Sequence, residues 1–165
     1  MKKILFLLIA ASLLTNCGSF DYVYETKFAK SDLKNNTQIF INGDRSDIIY
    51  NKLVDKIGNS SGNKEYTLFL NSIQTEAPEI TSKDATASKF SIEFSIDYTL
   101  NSNLLNCDIK KTTINTRSFY NSKSEGFSFG TDLSKKESIE KNLNSNIETF
   151  FKELLGGVKN LACIN

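Results

Sequence analysis

The sequence of 165 residues contains no histidine. That absence removes Ser-His-Asp and Cys-His nucleophilic machinery, histidine-ligated zinc and imidazole acid–base work together. Three cysteines are present, Cys17, Cys107 and Cys163, and their spacing makes no thiolate zinc motif. Neither glycine-rich phosphate loop occurs, dinucleotide-type or Walker-type. Catalysis by carboxylates alone needs two carboxyls in one cleft. Here the acidic residues fall on the expected solvent sides of a strand and of helices. The chain therefore reads as a non-enzyme with no metal and no organic cofactor. Charge is nearly balanced, 20 Lys and Arg against 19 Asp and Glu. With no basic arm or stripe to track a phosphate backbone, a nucleic-acid partner is not expected.

Long apolar runs are also missing. The longest, Ile4 to Leu14, follows Met1-Lys2-Lys3 and is too short for a bilayer core that needs roughly 20 apolar residues. A positive start and a short apolar stretch are the first two regions of a bacterial export signal. The end of that run, Leu14-Thr15-Asn16-Cys17, resembles a lipobox, in which the cysteine becomes residue one and is acylated; Asn16 stands where Gly, Ala or Ser is usual. Gly18, with no Asp in its place, resembles lipoproteins sent to the outer membrane. Acyl chains on Cys17 would hold firmly, since each buried CH2 contributes about 0.8 kcal/mol. Residues 1–16 are thus expected to be a signal peptide and 17–36 a lipidated tether carrying Phe20, Tyr22 and Tyr24. The domain occupies 37–165, and losing Lys2 and Lys3 brings the mature net charge to −1.

Within the domain, Thr37 to Ile41 reads as a strand, and Asp44 as the N-cap of a helix carrying Ile49, Leu53 and Ile57. Glu65 to Thr75 is a second strand, ended by the approach of Pro78, with residues 79–86 an open loop. In the third strand Ser88, Phe90, Ile92, Phe94, Ile96, Tyr98 and Leu100 alternate with polar residues, so one face is buried and one wet. Cys107 to Tyr120 is a fourth, Thr-rich strand. Ser134 and Glu137 form a capping box for a last helix through Ile139, Leu143, Ile147, Phe150, Phe151, Leu154 and Val158. The order β-α-β-β-β-α implies a two-layer α+β sandwich, two helices packed on one face of a four-stranded, mostly antiparallel sheet.

Cys107 and Cys163 form an even pair in an exported chain, which favours a disulfide over two free thiols. A simple return from the fourth strand into the last helix brings them together. Two loops at one end of the sheet hold Lys83, Lys123, Lys135 and Lys136, with Arg117 near the end of strand four. These basic residues are candidates for a rim that binds phosphorylated lipid; the plainer alternative is solvated surface charge.

Cys17-Gly18 with its nearby aromatics, "FINGDRSDIIYNKLVDKI", "SKFSIEFSIDYTL" and "TRSFYNSKSEG" with the helix beyond it together resemble the lipopolysaccharide-assembly lipoproteins, the LptE (RlpB) family. The resemblance implies a lipoprotein of the outer membrane, facing the periplasm. It implies an LptD-type β-barrel as partner, whose lumen the domain would plug and whose folding it would help. It also implies binding of lipopolysaccharide, with Lys83 and Lys135 or Lys136 as the best-matched contacts. The competing reading is another binding lipoprotein, such as an auxiliary subunit of a lipid-transport ABC system or a peptidoglycan-synthase activator.

Overall fold

The computed structural model describes residues 32–59, 62, 64–81, 87–122, 128–157 and 163–164. Six elements follow in chain order: β1 (Thr37–Gly43), α1 (Ser46–Ile57), β2 (Tyr66–Thr81), β3 (Ala87–Ser102), β4 (Cys107–Asn121) and α2 (Ser128–Gly157). The sheet order is β1-β2-β3-β4. β1 runs parallel to β2, as a strand-helix-strand crossover requires, and β2, β3 and β4 form an antiparallel meander. The expected two-layer α+β sandwich is the fold observed.

The alternation in β3 does what its period of two dictates. Ile92, Phe94, Ile96, Tyr98 and Leu100 are all buried, while Glu93 and Asp97 point to the opposite, open face. Ile49, Leu53 and Ile57 of α1 meet this layer from the β1 side, and Leu143, Ile147, Phe150 and Leu154 of α2 meet it above β3 and β4. Tyr98 and Phe150 stack at the centre, ring centroids 4.2 Å apart.

Several local expectations are corrected. The helix α1 begins at Ser46 with Arg45, in the left-handed region at φ 56°, at its N-cap position. Asp44 is not the cap. Its carboxylate accepts the Gln74 backbone N–H at 2.8 Å, and its own N–H donates to Ser72 O, so it fastens the end of β1 to β2. Strand β2 does not stop at Thr75. It continues through Pro78 to Thr81, with a register shift between Pro78 and Ile80. Proline is tolerated there because β1 has already ended, at the Gly43–Ser72 pair, and the missing N–H faces a free edge. The last helix starts six residues before the expected cap, which leaves Ser134 inside it.

The packed domain also starts earlier than Thr37. Leu33 is buried in the core, the Thr37 hydroxyl donates to Leu33 O, and Asn35 N–H donates to Ile57 O at the end of α1. Cys107 and Cys163 are disulfide-bonded, with Cα atoms 5.8 Å apart. Cys17, Lys83, Lys123 and Val158 lie outside the described residues.

Candidate functional site

The β2–β3 hairpin runs past the end of β1, and the end of β4 and the first turns of α2 lie beside it. This is the loop end, where the basic rim was expected. Of its candidates, Arg117 and Lys135 are both found here, but the sheet separates them. Arg117 pairs across the strands with Glu93 on the open face, whereas Lys135 is on α2, above the helix-covered face.

Each is already neutralised. The Arg117 guanidinium binds Glu79 and, at 3.1 Å, Glu93, and lies 5.2 Å from the centre of the Phe119 ring, which Lys89 also covers at 4.2 Å. The Lys135 ammonium sits 2.6 Å from Glu76, whose other oxygen accepts the Tyr120 hydroxyl. Burial acts to raise the Glu76 carboxyl, but the hydrogen bonds from Lys135 and Tyr120 and the charges of Lys135 and Arg45 outweigh it, so its pKa falls below the ordinary carboxylate value. Glu79 is lowered too, first by the Ser91 hydroxyl and then by Arg117. Lys136 differs from both: it is exposed and forms no ion pair with a described residue. The sequence reading placed Glu93 on the wet face of β3 but missed Glu76 and Glu79 because it ended β2 at Thr75. Only the strand's continuation brings Glu76 and Glu79 against the cations.

A second feature lies between α2 and the sheet. Ser138, Asn142 and Asn146, spaced by four, make one buried polar line along α2. Asn142 Nδ2 donates to Ile92 O at 2.8 Å and to the Ser118 hydroxyl at 3.1 Å. Asn146 Nδ2 donates to Ile114 O and Thr116 Oγ1, both at 2.9 Å, and its Oδ1 accepts the Tyr98 hydroxyl at 2.8 Å. Ser138 Oγ donates to Ser118 Oγ at 2.8 Å. Burial pushes the Tyr98 hydroxyl pKa up, which keeps it a donor throughout the neutral range. One atom of the line, Asn142 Oδ1, is buried without a partner among the described residues. Beside the line an open groove of about 730 Å³ runs along the edge of β4, with Arg117, Phe119, Glu137 and Lys141 on its walls. Its lining side chains are mostly amides, hydroxyls and mixed charges, with Phe119 and aliphatic stems supplying apolar surface between them.

The open face of the sheet carries a third feature. Phe40 and Phe69 stack at 5.3 Å with about half of each ring in solvent, and Ile73 and Phe119 are similarly exposed. Among the described residues no group of His, Cys, Asp and Glu is placed to hold a metal ion, and no helix is long and apolar enough to cross a membrane.

No protein-family model matches the sequence, and no curated protein matches it. Solved structures do. A chain from Caulobacter crescentus CB15 assigned as a lipoprotein is 13% identical, with a TM-score of 0.56 over 74% of this chain and 89% of that one. The uncharacterized lipoprotein B from Nitrosomonas europaea is 7% identical, with a TM-score of 0.55 over 80% and 96%. A minor lipoprotein from Acinetobacter baumannii is 8% identical, with a TM-score of 0.52 over 75% and 93%. At these identities the likeness is one of fold, and the fold is one found in bacterial lipoproteins.

Proposed function

We propose that this chain is a non-enzymatic lipoprotein of the outer membrane, anchored through an acylated Cys17, that plugs and helps assemble an LptD-type β-barrel and binds lipopolysaccharide for insertion into the outer leaflet. The observation that carries this reading is the joining of two independent features. The N-terminus ends its apolar run in Leu14-Thr15-Asn16-Cys17, and the domain behind it has a fold that bacterial lipoproteins share. The surface suits the work. A barrel lumen is lined with polar side chains, and this domain offers amides, hydroxyls and charges along a groove at one sheet edge and charged pairs at its loop end.

The lipid contact is assigned to the loop end, with its weight shifted by the ion pairs found there. Arg117 and Lys135 are occupied by carboxylates, so among the described candidates Lys136 is left to meet a lipid phosphate through charge-assisted contacts, and the sequence reading assigns Lys83 and Lys123 to the same role. Lys83→Glu combined with Lys136→Glu should weaken lipopolysaccharide binding by about tenfold, equivalent to about 1.4 kcal/mol, and leave barrel association intact. Binding of labelled lipopolysaccharide to the purified chain reads the first effect, and co-purification the second. Unchanged lipid binding in the double variant would remove the loop end from the account.

A further inference from the structure

The end of the domain opposite the basic loops is apolar at its tip. The β3–β4 turn, residues 103–106, presents Leu104 at 76% exposure and Leu105 at 61%, and Ile164 beside it is 50% exposed. Turns normally place Asn, Gly, Asp or Ser at such positions, and two adjacent leucines in water contribute nothing to the isolated domain.

The turn is held rigidly. Asn103 N–H donates to Glu65 O at 2.8 Å, Asn103 Nδ2 donates to Lys64 O at 2.7 Å, and the Thr67 hydroxyl donates to Asn103 Oδ1 at 2.9 Å. Leu105 N–H is bound to the Ser102 hydroxyl, and Asn106 takes the left-handed conformation at φ 50°. The Cys107–Cys163 bond and the Ile164 N–H to Asp108 O hydrogen bond then fix Ile164 at the start of β4, at the same end as the leucines.

The chain also enters the domain here. Asn36 O accepts the Tyr66 N–H, and Tyr66 pairs with Ser102, one residue before the turn. Cys17 lies fifteen residues before Asp32, a span of at most about 50 Å. Lys34 and Lys64 are exposed at this same end beside the half-buried carboxylates Asp32, Glu65 and Asp108, so its charge is balanced and the apolar side chains carry the contact.

We infer that Leu104, Leu105 and Ile164 form a second membrane contact: a rigid apolar tip that dips into the lipid surface beside the acyl anchor and orients the domain with its basic loops away from that surface. An acyl anchor alone leaves a domain free to tumble; a fixed apolar tip at the end where the chain enters the domain selects one orientation. This inference rests on the lipid-anchor part of the proposed function and is independent of the barrel.

The sequence contains no tryptophan, so a single introduced indole reports its own surroundings. The full chain with Cys17 intact is reconstituted in vesicles of phosphatidylethanolamine and phosphatidylglycerol, with and without brominated acyl chains. Leu104→Trp should show blue-shifted emission and lose most of it to the brominated lipid. Phe119→Trp, about 40 Å away along β4 at roughly 3.3 Å per residue, should keep a water-like spectrum in both. Protein that floats with the vesicles while Leu104→Trp stays unquenched overturns the tip contact and leaves the anchor standing. Protein that does not float, with Cys17 unmodified, overturns the anchor reading and the tip contact with it.

Discussion

Asn146 is completely buried and satisfies three groups at once: the Tyr98 hydroxyl, Ile114 O and Thr116 Oγ1. Asn146→Ala should therefore cost about 1–3 kcal/mol, because it leaves buried polar atoms without partners. Urea unfolding followed by far-UV circular dichroism would measure that loss. Tyr98→Phe should cost less, about 1 kcal/mol, since it removes only one hydroxyl and one hydrogen bond. Nothing in the sequence marked this line. Ser138, Asn142 and Asn146 at four-residue spacing look like the wet side of a helix, and the stripe Ile139, Leu143, Ile147 beside them accounts for a buried face without them. They are buried because Thr116 and Ser118 of β4 also point inward, so that polar side chains face one another between the two layers. The carboxylates add a pH dependence whose sign follows from their shifts. Glu76 and Glu79 titrate lower in the folded chain than their ordinary 4.5, so the stability they add is present above that value and is lost as pH falls below it. The thermal midpoint of the domain should drop on acidification through this window, and Glu76→Gln should flatten the drop.

The elements divide by how much of their environment is local. β3 was fully legible because alternation over its whole length has one explanation, a strand with one dry face. Helix α1 was legible from Ile49, Leu53 and Ile57. The ends of elements were not, since tertiary pairing decides them. Pro78 ends a central strand, but β2 is an edge at that point and passes through it. Ser134 and Glu137 satisfy a capping pattern, but α2 extends beyond it toward its N-terminus. The turn after β1 depends on Gly43, whose φ is +94° and where a Cβ would stand 2.0 Å from Ser72 O. Gly43→Ala should cost about 2 kcal/mol or more through backbone strain and that contact, measurable as a lowered urea midpoint. The disulfide followed from topology, since a helix returning antiparallel to β4 brings Cys163 back to Cys107. Replacing both cysteines with serine should remove about 4 kcal/mol on the chain-entropy model for the loop they close, less any residual structure in the unfolded chain. Non-reducing electrophoresis and unfolding with and without reductant would check it.

On the scale of the whole molecule, the sheet has two distinct ends. At one, the chain enters from the side of Cys17, the disulfide closes β4 to the C-terminal segment, and the apolar turn lies exposed. At the other, a projecting hairpin and the first turns of α2 gather charge, most of it paired. The two-layer order was readable in the sequence because it rests on long runs of residue type. The distribution of free and paired cations was not, because it depends on which strand residues a register brings together. This polarity suits a domain held to a membrane at one end and presenting polar contacts elsewhere, and the barrel is the partner proposed for those contacts. The most direct test is affinity purification of the protein from detergent-extracted membranes, with mass spectrometry of what remains bound. A large outer-membrane β-barrel recovered in stoichiometric amount is the predicted result. Recovery of an inner-membrane transporter or a cell-wall synthase in its place, with no barrel, would contradict it.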